Sequence, residues 1–215
     1  MVLAMLDGII FDVDGTLWDA RIQVGEAWFA VKYDLTGEKT EWSFEKLSSM
    51  FGRPMTDICL ALFPDYPKDK ALQYGDRCFQ GELELLRKKP GIVFDGVRDM
   101  LSALRKLCPL YIVSNCQCGY IEVLLESGNL SEFFSDYLCY GDTRTSKGQT
   151  IRTLMKRNGL KDVIYVGDTQ GDADACAEAD VPFLFAEYGF GTVQRAYPTA
   201  RTVQEIPSVV QQMTT

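Results

Sequence analysis

The sequence predicts an α/β protein: a parallel sheet of about five strands with helices on both faces, plus a small helical-bundle cap domain. Three observations carry this. Ile9-Ile10-Phe11 is an apolar run that stops at Asp12-Val13-Asp14-Gly15, as a buried strand does at its end. From about Trp18 to Pro90 the apolar spacing is helical throughout, and from Val97 onward helical stripes alternate with short apolar runs. The expected division is therefore a sheet core over 1–17 and 91–215, with a cap over 18–90.

The elements follow in order. Val24, Ala27, Trp28, Val31 and Leu35 form one helical stripe. Ser43 stands as an N-cap before Phe44 and Leu47, with Gly52 as the stop. Pro54 suits the first turn of a helix to about Leu62. A longer helix follows Pro67 with Leu72, Phe79, Leu83 and Leu86 inward. In the core, Val97, Met100, Leu101, Leu104 and Leu107 make a stripe, and Leu110–Val113 is a strand ending at Ser114-Asn115. A helix to about Ser127 leads to a strand near Tyr137–Tyr140. The helix Lys147–Asn158 is closed by Gly159, Val163–Val166 is a strand broken at Gly167-Asp168, and a helix to about Ala179 precedes a last strand at Val181–Phe185. Right-handed crossovers bring all these strand ends to one edge, where open parallel sheets bind ligands.

Composition narrows the function. A chain of 215 residues with net charge −8 lacks the basic surface needed for nucleic acid or an anionic membrane. Met1 to Leu6 is apolar but too short for a signal sequence, and no stretch approaches the ~20 apolar residues of a membrane span, so a cytoplasmic protein is expected. The seven cysteines are odd in number and lack a Cys-x-x-Cys pair, which fits reduced, mostly buried thiols. There is no histidine, so Ser-His-Asp and Cys-His nucleophiles and the usual zinc sites are excluded. A small-molecule partner and a monomer or weak homodimer are expected.

The chemistry lies at the strand ends. Asp12 and Asp14 point the same way if the strand direction persists, and such a pair needs either a shared proton or a metal. Taken alone, they could equally be a strand followed by an Asp-Gly turn. Ser114, Asn115, Lys147, Asp168 and Asp172 fall on or near the same edge. Four carboxylates against one lysine would repel a phosphate, each unit pair at ~4 Å costing about 4 kcal/mol at an effective dielectric of ~20. Mg²⁺, a hard cation with oxygen ligands, reverses that sign. Asp12 can then attack phosphorus, Asp14 can protonate the leaving alcohol and activate water, and Ser114 can bind phosphate oxygens. Lys147 can neutralise developing charge, and Gly15 permits close backbone approach.

Asp12-Val13-Asp14-Gly15-Thr16, Ser114-Asn115, Lys147 and Gly167-Asp168-Thr169-Gln170-Gly171-Asp172, in this order, resemble the four motifs of the haloacid dehalogenase-like superfamily. The position of the insert resembles the phosphoglycolate phosphatase and β-phosphoglucomutase branch, with its Rossmann-like core and helical cap. The resemblance implies Asp12 as nucleophile and metal ligand, Asp14 as acid/base and metal ligand through its carbonyl, and Asp168 as a metal carboxylate. It further implies Asp172 in a supporting place beside the metal, Ser114 and Lys147 on the phosphate, and Asn115 on phosphate or lid. Gly52-Arg53-Pro54 resembles the lid loop that reaches the active site, so Arg53 is a candidate for substrate specificity. Trp18, beside the hinge, either stacks on a ligand or packs under the lid.

Among reactions of this superfamily, Asp14 argues against dehalogenation, which has no use for that acid. Phosphonate cleavage needs a lid lysine at the reacting carbon, and Lys32, Lys39, Lys46, Lys68 and Lys70 lie in no recognisable setting. Sugar-phosphate mutases of the branch use a lid histidine that this chain lacks. A non-catalytic ligand-binding relative would be expected to have lost the nucleophile or a metal acid, and both are intact. The expected activity is a phosphoglycolate phosphatase-like, Mg²⁺-dependent hydrolysis of a small phosphate ester.

Overall fold

The computed structural model describes residues 6–215, so most of the apolar start Met1 to Leu6 lies outside the described residues. The chain enters through β1 (Gly8–Phe11) and a two-residue strand β2 (Trp18–Asp19), followed by four helices, α1 (Arg21–Thr36), α2 (Phe44–Ser48), α3 (Met55–Leu62) and α4 (Lys68–Leu86). It continues through β3 (Ile92–Val93), α5 (Val97–Leu104), β4 (Leu110–Ser114), α6 (Tyr120–Ser127) and β5 (Phe134–Cys139). The remainder is α7 (Tyr140–Thr143), α8 (Lys147–Asn158), β6 (Val163–Gly167), α9 (Gln170–Ala179), β7 (Phe183–Ala186), β8 (Thr199–Ala200) and α10 (Ile206–Met213).

The main sheet is parallel, in the order β5-β4-β1-β6-β7-β8. It has six strands, one more than expected, because Thr199-Ala200 is too short to show any periodicity yet pairs with Phe185 and Ala186. β1 is central. Phe11 is in register with Ile112 of β4 and Val166 of β6, so Asp12 leaves the sheet between the ends of its two neighbours. This is the reversal point of the strand order, where the crevice of an open α/β sheet lies.

Alternation along β1 divides the interior. Ile9 and Phe11 pack into one apolar layer with α5, α6, α10 and the helical insert, while Ile10 faces a second layer built on α8 and α9. β2 and β3 pair antiparallel, Trp18 with Val93 and Asp19 with Ile92, where the insert leaves and rejoins the sheet. The stretch from Trp18 is thus not helical at its very start.

Local signals place most helix ends. Ser43 Oγ accepts from Lys46 N at 3.1 Å and Ser146 Oγ from Gln149 N at 3.2 Å, which fixes the starts of α2 and α8. Pro54 and Pro67 sit one position before their helices. Two expectations about packing fail. Leu107 lies beyond the end of α5 and is exposed. In α4 the buried face carries Ala71, Gly75, Cys78, Phe79, Glu82 and Leu86, leaving Leu72 and Leu83 only half-buried. The face turns because α4 packs against both α1 and α3, and it takes a carboxylate inside with it.

Candidate active site

Asp12 follows β1, Asp168 follows β6 and Asp172 lies in the first turn of α9, and all three are buried. One carboxylate oxygen from each lies within 4.8 Å of the others. Lys147, buried at the start of α8, places Nζ 2.8 Å from Asp12 Oδ1 and 2.5 Å from Asp172 Oδ1. Asp172 Oδ2 accepts from Thr169 N at 2.9 Å and Thr169 Oγ1 at 2.7 Å in a reciprocal cap, so both its oxygens are engaged. Asp168 Oδ2 accepts from Phe190 N at 2.7 Å and Gly191 N at 3.3 Å.

The loop Tyr188-Gly189-Phe190-Gly191 thereby aims Asp168, and Tyr188 Oη donates to Thr16 O at 2.8 Å, tying it to the turn after β1. Gly15 has φ +77°, and a Cβ there would lie 2.2 Å from Asp168 Oδ2, so only glycine fits between the first and last acids.

These contacts set the charges. Burial, then the Asp172 charge, push the Asp12 carboxyl up to about 6, with Lys147 pulling it back. Burial, then Asp172 and Asp12, raise Asp168 well above the carboxylate range. Burial works against the Lys147 ammonium, but Asp12 and Asp172 outweigh it and keep it protonated. Three carboxylates facing one ammonium leave two negative charges in excess when all are ionised.

Asp14 is set apart. Its Oδ1 accepts from Tyr120 Oη at 2.7 Å and Trp18 Nε1 at 3.1 Å. Burial raises its pKa well above the usual value despite these two donors. Trp18 is fully buried, with Tyr120 edge-on to it at 5.5 Å. It therefore orients Asp14 from beneath and has no open face on which a ligand could stack, so of the two readings of Trp18 its burial suits the packing one.

Ser114, at the end of β4, is buried at the edge of a narrow cavity of ≈ 40 Å³ that opens to solvent. Asn115 Nδ2 donates to Gly52 O at 3.0 Å and so meets the insert. Gly52, at φ +77°, sits so close to α9's capping residue that a Cβ would lie 3.0 Å from Thr169 Cγ2. Next to it Arg53 lines the same cavity but is exposed, with Nε donating to Ser49 O at 2.7 Å.

The sequence profile of the haloacid dehalogenase-like hydrolases matches residues 9–186, from β1 to the end of β7. The chain belongs to this family. Among relatives of this haloacid dehalogenase-like hydrolase, a phosphoglycolate phosphatase of Shigella dysenteriae is 24% identical over 212 residues, covering 85% of this chain and 82% of that one. One from Salmonella typhimurium is 23% identical, covering 87% and 84%. Among solved structures, a haloacid dehalogenase-like hydrolase from Streptococcus pneumoniae superposes with TM-score 0.83 at 20% identity, covering 96% of this chain and 99% of that one. A predicted phosphatase from Clostridium acetobutylicum gives 0.82 at 19%, covering 97% and 100%. These structures share the fold.

The residues of this haloacid dehalogenase-like hydrolase suit a divalent cation. Asp168 Oδ1 is buried without a hydrogen-bond donor among the described residues, and Asp12 Oδ1 meets the Lys147 ammonium alone, at 2.8 Å. An unpartnered carboxylate oxygen beside a second buried carboxylate makes a hard-oxygen cluster that could hold a divalent cation such as Mg²⁺.

Sequence reasoning missed Tyr120, Gln117 and Glu82. Tyr120 opens α6 behind a Gly119 turn, and only the fold brings it 106 positions back to Asp14. Glu82 of the hydrolase's insert is 3% exposed and lines the cavity, with Oε2 accepting from Trp28 Nε1 at 2.5 Å and Oε1 from Gln117 Nε2 at 3.2 Å. Burial pushes its carboxyl up to about 7 against both donors.

Proposed function

We propose that this hydrolase is a Mg²⁺-dependent phosphomonoesterase that acts on a small phosphorylated metabolite through an aspartyl-phosphate on Asp12, in the manner of its phosphoglycolate phosphatase relatives. The observation that carries this is the unequal provision for the first two acids. Asp12 Oδ1 meets the Lys147 ammonium and no other donor among the described residues, while Asp14 takes both of its donors on Oδ1 and leaves Oδ2 to hold a proton.

Mg²⁺, held by Asp12, Asp168 and the Asp14 carbonyl, would supply positive charge against the phosphoryl oxygens. Asp12, ionised at neutral pH even with its pKa near 6, attacks phosphorus and displaces the alcohol. Asp14, kept protonated by burial, gives its proton to that alcohol and then takes one from the water that cleaves the acyl phosphate. Ser114 and Lys147 hold phosphoryl oxygens, and Asp172 keeps Lys147 directed at Asp12.

The insert, residues 18–90, serves as a lid on the core of 1–17 and 91–215. Asn115 latches it through Gly52, and Arg53 at the mouth meets a polar or anionic part of the substrate. Closure excludes all water but the one that reacts. None of the lid lysines lines the cavity, which speaks against Schiff-base phosphonate cleavage.

Release of inorganic phosphate from p-nitrophenyl phosphate and a panel of metabolite monoesters, with Mg²⁺ present, tests the reading. Turnover that EDTA abolishes and that Asp12→Asn lacks is expected. Absence of turnover across the panel, or turnover equal in Asp12→Asn, overturns it.

A further inference from the structure

The part of the cavity remote from Asp12 is built from Trp28, Phe51, Phe79 and Glu82 of the lid, with Gln117 reaching in from the core. Trp28 stacks with Phe51 at 6.2 Å and meets Phe79 edge-on at 6.0 Å, so three aromatic rings gather around one carboxyl. Such a carboxyl is costly to keep ionised unless a positive partner joins it. Lys32, a buried charge on the neighbouring α1, turns elsewhere, toward the Phe63 ring at 5.6 Å and Glu38 at 3.9 Å. Among the described residues lining the cavity, Arg53 is the one cation, and it is exposed and bound to the Ser49 carbonyl. Glu82 therefore has donors but no counter-charge.

A desolvated carboxylate at the wall of a cavity, without a counter-charge, favours an organic ammonium through direct charge pairing. A carboxylate on the leaving group, as in phosphoglycolate, would meet Glu82 as a like charge in a desolvated space. Building on the phosphatase reading, we propose that the lid selects phosphate esters of amino alcohols, with the ammonium of the leaving group paired to Glu82. The relatives' substrate would then be a poor one for this chain.

Phosphoethanolamine, phosphocholine and 2-phosphoglycolate, compared by kcat/KM with Mg²⁺ present, read the selection directly. An ammonium ester is expected to exceed phosphoglycolate by at least ~10-fold, and Glu82→Gln to cut that ratio by ~10-fold or more, tenfold corresponding to about 1.4 kcal/mol. The two ammonium esters distinguish a primary from a quaternary head group. Calorimetric binding of free ethanolamine, choline and glycolate to the wild-type protein reads the same site without turnover and without a variant that must fold. Binding of an amino alcohol but not of glycolate is expected. A wild type that prefers phosphoglycolate, or binds neither amino alcohol, overturns the proposal. If no ester is hydrolysed yet an amino alcohol binds, the phosphatase reading fails and the ammonium site stands.

Discussion

The sheet edge and the lid each bury carboxylates, and they solve the problem differently. At the edge, Asp12, Asp168 and Asp172 are held by a lysine, a reciprocal helix cap and two loop amides, all delivered by strand ends and helix starts. In the lid, Glu82 rests against a tryptophan and a glutamine among aromatic rings, with no cation beside it. The first arrangement is suited to gathering and moving charge. The second leaves a demand for charge that an incoming ligand can meet.

The contrast can be broken or sharpened experimentally. The largest effect is expected at the edge: Asp12→Asn should lower phosphate release by about 10⁴-fold or more, since it removes the proposed acceptor of the phosphoryl group. Next, Lys147→Met should reduce kcat by about 10²–10³-fold. It should also lower stability by ~3 kcal/mol in urea unfolding, because Asp12 and Asp172 lose their shared partner inside the protein.

The lid's carboxyl should instead show in the pH dependence of stability. Glu82 is held near 7 in the folded chain against an ordinary 4.5, so the folded state keeps its proton longer than the unfolded one. Stability should then fall as pH rises from about 4.5 to about 7 and stay lower above it, by up to about 3 kcal/mol from this group. The difference between wild type and Glu82→Gln in urea midpoints at pH 5 and pH 8 reads this, and parallel pH profiles would refute it.

A smaller change is expected from Tyr120→Phe, which removes one donor from Asp14. Asp14 is then harder to ionise, so kcat should fall about 10-fold, with the acid limb of its pH profile displaced upward. Arg53→Ala should raise KM by only about 3-fold for the best substrate, as suits an exposed group at the mouth. An unchanged KM removes Arg53 from substrate contact.

The two regions also differ in how far the sequence discloses them. Asp12 and Asp168 sit where an apolar run stops and Asp172 lies in the first turn of the helix that follows, so strand ends mark them in sequence, and the parallel sheet brings those ends together. The lid carries no such punctuation. Which face of α4 turns inward depends on packing against α1 and α3, and Leu72 and Leu83, apolar at helical spacing, yield the interior to Gly75, Cys78 and Glu82. Glycine, cysteine and glutamate on a helix look like surface or neutral positions until a neighbour such as Trp28 supplies the donor. Tyr120 escaped notice for a related reason: it acts on Asp14 from a helix start far along the chain. The sixth strand is lost to brevity alone.

The small ribbon of β2 and β3 has a consequence for evolution. Both crossings between lid and sheet lie side by side, Trp18 against Val93 and Asp19 against Ile92, only one strand spacing apart. A helical segment whose two ends meet at that distance could be grafted beyond Asp19, leaving Trp18 its bond to Asp14 and the acids below in place. Recognition and reaction can therefore diversify at separate rates, and a transplanted lid should carry its preference to a new host.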